Sequence, residues 1–274
     1  MSRDALGRVP LDTLPEARLQ THHAVQVLTS FAQACVEPME DDRHRNFDWD
    51  IGVRGFRARP AATDSSLTAV FAVEEFEVRL ERADAVVARI PARGRTGAEL
   101  RSELGTALSG ALGRDVALEA PEFELPDHPT ATDAAFDPDP AALEELATWF
   151  THADLALLRV HESFQGVCDD IRVWPHHFDL ATLLHADEGT LGMGLSPGDG
   201  GVEHPYWYVR GYPKDPPIEG DLPPLEHGSW KFEGWTGAIL EAPEVIESDD
   251  PEDQDHTVDH FLELVIDTCL RLLG

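Results

Sequence analysis

Lysine, paired cysteines and long apolar runs are scarce in this 274-residue chain, and each scarcity excludes a class of protein. Only Lys214 and Lys231 are lysines, and the formal net charge of −31 repels nucleic acid and anionic lipid. The three cysteines, Cys35, Cys168 and Cys269, are far apart and form no C-x-x-C pair, which predicts free thiols in a reducing compartment. No stretch approaches the roughly 18 consecutive apolar residues of a membrane span, and no signal-peptide pattern is present. We therefore expect a soluble, cytoplasmic protein that binds neither nucleic acid nor membrane.

Acidic residues dominate the charge of the chain. There are 52 Asp and Glu against 21 Lys and Arg, for a formal net charge of −31. The acids recur along the chain, with clusters at residues 74–77, 119–124, 137–145, 215–221 and 244–255. At molar salt the Debye length falls to about 3 Å, which screens the self-repulsion that such a surface suffers at low salt. The pattern predicts adaptation to a salty cytoplasm, and an acidic surface for a cationic partner is the alternative interpretation.

Hydrophobic periodicity predicts an α+β protein in which long helices pack on antiparallel sheet from two similarly organised halves. Apolar residues at helical spacing predict helices at residues 14–36, 96–112, 141–164 and 257–273. Extended patterns predict strands at residues 48–59, 67–81, 116–125, 171–184, 191–195, 206–212 and 230–240. A Pro/Asp-rich connector lies between the halves, so we expect an N-terminal half of residues 1–130 and a C-terminal half of residues 131–274, or one compact domain built from both.

The segment Trp174-Pro175-His176-His177-Phe178-Asp179 is the most unusual in the chain. A proline inside a strand pattern predicts an edge or a bulge, and bulges redirect side chains at functional sites. Strand alternation would place Trp174, His176 and Phe178 on one face and His177 with Asp179 on the other. A histidine and an aspartate two residues apart can form an oriented base, or can supply two metal ligands. Histidines that are hydrogen-bonded within an aromatic core are the alternative interpretation.

The segment Gly194-Leu195-Ser196-Pro197-Gly198 has the letters of the G-x-S-x-G nucleophile elbow. In that elbow the residue after the serine donates its backbone N–H to an oxyanion, and Pro197 has no N–H to donate. Glycines also follow where the elbow requires a helix. The segment therefore predicts a β-turn and not a serine hydrolase.

His256 and His260 stand four residues apart on the predicted closing helix, which places both imidazoles on one helix face. This spacing suits two metal ligands, but no third ligand is evident from the sequence. Two solvated histidines are the preferred interpretation, and we assign no metal ligand to the chain.

Aromatic residues also gather in the C-terminal half, at Tyr206-Trp207-Tyr208 and at Trp230, Phe232 and Trp235. Tyrosine and tryptophan combine an apolar body with a polar tip, which suits a pocket for a sugar or another ring-bearing ligand, and equally suits a sheet core. Glu233 precedes Gly234-Trp235, and a carboxyl group among aromatic rings would have a raised pKa suitable for an acid.

Four ordered motifs give the chain a family resemblance. They are Trp174-Pro175-His176-His177-Phe178-Asp179-Leu180-Ala181, Ser196-Pro197-Gly198-Asp199-Gly200-Gly201, Pro205-Tyr206-Trp207-Tyr208 and Glu233-Gly234-Trp235-Thr236-Gly237-Ala238. With these motifs the chain resembles an uncharacterised bacterial family, a domain of unknown function, over nearly its whole length. The first half departs more from that family's pattern, around Asn46-Phe47-Asp48-Trp49. The resemblance implies no activity, substrate or cofactor.

Two hypotheses of function follow. The first is a small-molecule-binding or otherwise non-catalytic protein with an aromatic-lined pocket in the C-terminal half. Its candidate ligand-binding residues are Trp174, His176, Ser196, Asp199, Tyr206, Tyr208, Trp230, Trp235 and Thr236. The second is a hydrolase-type enzyme, with or without a metal, whose candidate catalytic residues are His177, Asp179 and Glu233.

Overall fold

The computed structural model describes residues 4–187, 189–213, 222–232 and 237–273 of the chain, and these form an α+β fold. The α-helices are α1 (Leu14–Cys35), α2 (Gly97–Leu112), α3 (Pro140–Ser163), the short α4 (Ala242–Val245) and α5 (Pro251–Leu273). The strands are β1 (Asp48–Asp50), β2 (Gly55–Arg57), β3 (Leu67–Ala72), β4 (Glu77–Arg82), β5 (Ala85–Pro91), β6 (Arg172–Val173), β7 (Leu180–Ala186), β8 (Gly189–Ser196), β9 (Tyr206–Pro213), β10 (Ser229–Lys231) and β11 (Gly237–Glu241). The predicted fold class, α+β with antiparallel sheets and long helices, is therefore confirmed.

The chain divides into two compact units. The first unit consists of Met1–Asp12, Thr148–Ile171 and Asp179–Gly274, and the second of Thr13–Ala147 and Arg172–Phe178. Each unit therefore contains chain from both sides of residue 130, and the boundary falls within α3. Residues 172–178, from the most unusual part of the sequence, belong with the N-terminal chain.

The second unit contains a five-stranded antiparallel sheet in the order β1-β2-β3-β4-β5, which is a meander of consecutive strands. Helix α1 packs on β3, and α2 packs on β4 and β5. Aromatic rings fill the core, and Phe76 meets Phe71 edge-on at 5.2 Å and Phe136 at 5.9 Å between ring centroids. Because α1 is buried over most of its length, its histidines and glutamines are enclosed within this unit.

Helix α2 shows how local sequence sets an element's ends. Thr96 and Glu99 form a capping box in which each side chain bonds the other residue's backbone N–H. Gly113 ends the helix in the left-handed conformation with a φ of 66°, which glycine adopts without steric cost.

The first unit contains antiparallel strands in the order β10-β11-β9-β8-β7. Helix α5 packs on β8, β9 and β11, and α4 contacts β11 and α5. The strand faces that carry Met193, Leu195, Trp207 and Val209 are fully or almost fully buried. Among the described residues, no helix is long and apolar enough to cross a membrane.

The predicted helices are confirmed to within a few residues, except that α5 begins six residues earlier than expected, at Pro251. The predicted strand at residues 116–125 is wrong, since the structure places no strand there. Its inward and outward residues do alternate, but among the described residues the backbone of 117–125 finds no hydrogen-bonding neighbour strand. We call residues 117–125 the strap.

The predicted strand at residues 171–184 is also wrong in its middle, because a turn separates β6 from β7. The backbone N–H of Phe178 donates to the carbonyl oxygen of Trp174 at 2.7 Å, and Phe178 has a left-handed φ of 61°. The expected alternation of Trp174, His176 and Phe178 on one strand face is therefore replaced by a turn. We call residues 174–178 the aromatic turn.

Candidate functional site

The aromatic turn is held beside the N-terminal chain by a backbone bridge. Phe47 and Val173 exchange two hydrogen bonds, from Phe47 N–H to Val173 O at 3.1 Å and from Val173 N–H to Phe47 O at 2.8 Å. Because the pairing is antiparallel, Asn46 and Trp174 lie opposite each other on the same side of this bridge. Residues far apart in sequence therefore meet at one surface of the second unit.

Helix α1 fixes the turn from beneath. The side chains of His22 and Gln26 both donate to the carbonyl oxygen of Pro175, His22 Nε2 at 2.8 Å and Gln26 Nε2 at 2.9 Å. The His22 ring also stacks on Phe178, with centroids 4.9 Å apart and planes within 6°. Burial lowers the pKa of His22 to about 3, so this imidazole is neutral at neutral pH, and its Nε2–H is the donor.

A cleft of about 450 Å³ lies at this surface, entirely within the second unit. Its lining residues come from the aromatic turn, from the chain before the Phe47 bridge, and from the strap; they are Trp174, Pro175, His176, Asp41, Asp42, Arg45, Asn46, Glu122 and Phe123. Small-molecule sites commonly have this size, with aromatic walls and a few polar groups.

The aromatic wall of the cleft centres on His176. Its ring centroid lies 5.9 Å from that of Phe123, 6.3 Å from that of Trp174 in an edge-on arrangement, and 4.0 Å from that of His177. Burial and the neighbouring His177 both lower the pKa of His176, so the ring carries no charge at neutral pH. The wall can therefore receive a flat ring without placing it against a cationic imidazole.

The polar wall contains two donors that lack acceptors. Asn46 is only 3% exposed, and its Nδ2 makes no hydrogen bond to any residue that the structure describes. Arg45 Nε is also buried and makes no hydrogen bond to a described residue, while Arg45 Nη2 donates to Asp42 Oδ1 at 2.7 Å. A buried donor without a partner costs about 1–3 kcal/mol, and such exceptions in folded proteins call for an explanation.

The strap closes one side of the cleft with few attachments of its own. Its ends are fixed where Val116 N–H donates to Ser109 Oγ and where His23 Nε2–H donates to Pro126 O, both at 2.9 Å. Between these points, residues 117–125 form no backbone hydrogen bond with any described residue. Segments of this kind open at a low free-energy cost, so Glu122 and Phe123 can adjust their positions.

In the first unit, a tyrosine–aspartate network gathers other predicted site residues. Tyr208 O–H donates to Asp179 Oδ2, and Tyr206 O–H donates to Asp199 Oδ2 at 2.7 Å. Burial and Asp179 raise the pKa of Tyr208, and burial and Asp199 raise the pKa of Tyr206, so both phenols stay protonated. Ser196 Oγ accepts from Gly198 N–H at 3.3 Å, as expected of a turn.

This network depends on close strand packing, which explains the glycines before Ser196. Gly194 pairs with Tyr208 on one side and Ala181 on the other. A Cβ at Gly194 would lie 2.2 Å from the carbonyl oxygen of Leu180, a distance that no side chain tolerates. The glycine therefore allows the backbone approach that brings Asp179 and Tyr208 together.

The remaining predicted residues are spread more widely. His177 is exposed on the aromatic turn, and Trp230 lies on β10, where its Nε1–H donates to Pro223 O at 2.9 Å. Glu233, Trp235 and Thr236 lie outside the described residues. Trp174 and His176 are thus the two predicted ligand-binding residues that line the cleft.

The closing helix places His256 and His260 with ring centroids 6.3 Å apart, and His260 Nε2 lies 3.7 Å from Glu226 Oε2. Among the described parts of the chain, no group of three or more histidine, cysteine, aspartate or glutamate side chains is arranged to hold a metal ion.

Besides Pro175 of the aromatic turn, six cleft residues were not predicted as site residues: Asp41, Asp42, Arg45, Asn46, Glu122 and Phe123. Asn46 and Glu122 carry no motif, and Phe123 was assigned to a strand in the wrong prediction for residues 116–125. The strand prediction for residues 116–125 gave no information on what the ring of Phe123 would contact.

Comparison with protein-family models, with curated proteins and with solved structures finds no match for this chain. The structure itself defines the class of the protein, which is an α+β protein of two compact units with an aromatic cleft in the second unit. The resemblance to an uncharacterised bacterial family stays a prediction.

Proposed function

We propose that the protein binds a small ring-bearing molecule in the cleft between the aromatic turn and the strap. The observation that carries this proposal is the composition of the cleft. Two residues predicted from sequence to bind a ligand, Trp174 and His176, line a space of about 450 Å³ together with Phe123 and with Asn46, whose Nδ2 lacks an acceptor.

The geometry favours a ring over a flexible chain. Trp174 and Phe123 both lie beside His176, with ring centroids 6.3 Å and 5.9 Å from that of His176. Aromatic pairs at such distances prefer offset or edge-to-face contact, so a ligand ring would extend the existing cluster. A hydrogen-bond acceptor on the ligand would supply the partner that the polar wall lacks.

The wall is also preorganised, which reduces the entropy lost on binding. His22 and Gln26 fix the carbonyl group of Pro175, and the Phe178 ring is stacked on His22. The strap, whose backbone makes no hydrogen bond to a described residue, can adapt to the bound molecule.

Indole is a suitable neutral probe of the aromatic wall, although it carries no acceptor for Asn46, and its binding can be followed by the NMR signals of the ¹⁵N-labelled protein. A fragment of this size should bind with a Kd of about 1 mM and shift the Trp174 indole and Asn46 side-chain amide signals. Trp174→Ala should weaken binding at least about tenfold. Trp230→Ala is the matched control, since Trp230 lies in the first unit, and it should leave the Kd unchanged.

The proposal is wrong if saturating indole shifts neither of these signals in the wild-type protein. It is also wrong if Trp174→Ala and Trp230→Ala bind indole equally well while their circular dichroism spectra match that of the wild type. The mapping of the signals in the wild-type protein needs no variant, so it tests the proposal even if Trp174→Ala does not fold.

A further inference from the structure

We infer that the molecule bound in the cleft is a ring-bearing cation and that Glu122 is its counter-ion. This inference rests on the proposed function and adds the charge of the ligand to it. It starts from the charged side chains that line the cleft, which are three carboxylates, Asp41, Asp42 and Glu122, and a single guanidinium, Arg45.

The three carboxylates differ in what they contact. Asp42 is paired with Arg45 at 2.7 Å, and Asp41 is paired with Arg43. Glu122 makes no ion pair or hydrogen bond with any residue that the structure describes. The charge available to a ligand at this surface is therefore the carboxylate of Glu122.

Arg45 does not offset this charge for an incoming anion. Its Nη2 donates to Asp42 Oδ1, so that carboxylate already offsets its charge, although its buried Nε has no acceptor among the described residues. The uncharged His176 ring contributes no positive charge at neutral pH. A ligand carboxylate would thus face Glu122 without an unpaired cation to receive it, in a chain of net charge −31, so we expect the acceptor that bonds Asn46 Nδ2 to be an uncharged atom of the ligand.

The aromatic wall itself favours a cation. A ligand ammonium near the face of Trp174 or Phe123 would be attracted by the ring quadrupole. Glu122 and Phe123 are adjacent on the strap, where the backbone makes no hydrogen bonds to described residues. Both side chains can therefore approach a bound ligand together, Phe123 by its ring and Glu122 by its carboxylate.

Three probes that share one ring test the inference. Tryptamine carries an ammonium group, indole is neutral, and indole-3-acetate carries a carboxylate. We expect tryptamine to bind about fivefold more tightly than indole, and indole-3-acetate to bind more weakly than indole. The titrations should use the lowest KCl concentration at which circular dichroism shows full folding, because salt screens the interaction.

Two glutamine variants separate a local counter-ion from the general field of the protein. Glu122→Gln should raise the Kd for tryptamine about threefold, towards that for indole, and leave the Kd for indole unchanged, since the aromatic wall still attracts a cation. Glu124→Gln removes the same charge from the same strap at an exposed residue that does not line the cleft, and should leave both Kd values unchanged.

The inference is overturned if tryptamine and indole bind the wild-type cleft equally well, a result that leaves the proposed function intact. Equal effects of Glu122→Gln and Glu124→Gln on tryptamine would also overturn it, since they would show that the net charge alone acts. If none of the three probes shifts the Trp174 and Asn46 signals, the proposed function and the inference both fail.

Discussion

The neutral state of His22 leads to a prediction about acid stability. Burial lowers the pKa of this imidazole from 6.5 to about 3, while in the unfolded chain the imidazole has its ordinary pKa. Below about pH 6.5 the imidazole of His22 therefore binds a proton in the unfolded chain but not in the folded protein. The contribution of His22 to stability is complete above this pH and decreases as the pH falls towards about 3.

The size of the expected loss of stability follows from the uptake of one proton by His22 on unfolding. Each pH unit below about 6.5 removes about 1.4 kcal/mol from the free energy of unfolding, or about 2 kcal/mol between pH 6.5 and pH 5. The lowered pKa values of His23, His44, His161 and His176 act in the same direction. A comparison with a variant at residue 22 therefore isolates the contribution of His22 to the pH dependence of the free energy of unfolding.

His22→Gln removes the titrating ring. The free energy of unfolding, from urea titrations followed by circular dichroism at about pH 7 and about pH 5, should fall by about 2 kcal/mol less in the variant than in the wild type. The variant should also be less stable at pH 7, because the stacking on Phe178 is lost. Equal pH dependence in the two proteins would refute the reasoning.

An NMR measurement on the wild-type protein covers the case in which the variant does not fold. In protein with ¹⁵N-labelled histidine, the two ring nitrogens of His22 should keep the shifts of a neutral imidazole, with the proton on Nε2, at about pH 5. Shifts typical of an imidazolium at that pH would contradict the buried neutral state.

The remaining predictions concern a buried carboxyl group and salt. Burial raises the pKa of Asp154 to about 6, so the folded protein loses stability as the pH rises from about 4 to about 6. Because Asp154 is partly exposed, its effect is discounted, and Asp154→Asn should increase the free energy of unfolding at pH 7 by about 1–2 kcal/mol and leave it unchanged near pH 4. Glu162→Gln is the control at an exposed position on the same helix, and it should have little effect at either pH. If the acidic surface is adapted to salt, the same measurement should give a higher free energy of unfolding at about 2 M than at about 0.05 M KCl, and full stability at the lower concentration would contradict that interpretation.

Much of the fold could be predicted because it depends on local signals. Pro15 in the first turn of α1, the capping box of Thr96 and Glu99, and the left-handed Gly113 each act within a few residues of a helix end. Helical spacing of apolar residues added the four long helices. Extended patterns indicated antiparallel sheet, although β3 and β4 were predicted as one strand and β5 was not predicted.

Predictions failed where a pattern required a neighbour that the sequence does not identify. Residues 116–125 alternate like a strand, but a strand needs a partner backbone, and the strap has none among the described residues. The aromatic turn has the composition of a strand as well. His22, Gln26 and the φ of 61° at Phe178 hold it as a turn, through contacts with a helix about 150 residues earlier in the chain.

By itself, the sequence determined the α+β class, the long helices and the acidic composition, and it predicted Trp174 and His176 as candidate site residues. These properties depend on composition and short-range periodicity, which are present in the linear chain. The tertiary structure decided which residues share a cleft, because Asn46, Phe123 and Trp174 are brought together by the Phe47–Val173 bridge and by the path of the strap. Contacts of this kind follow from the packing of the whole second unit, and no segment of the sequence carries them alone.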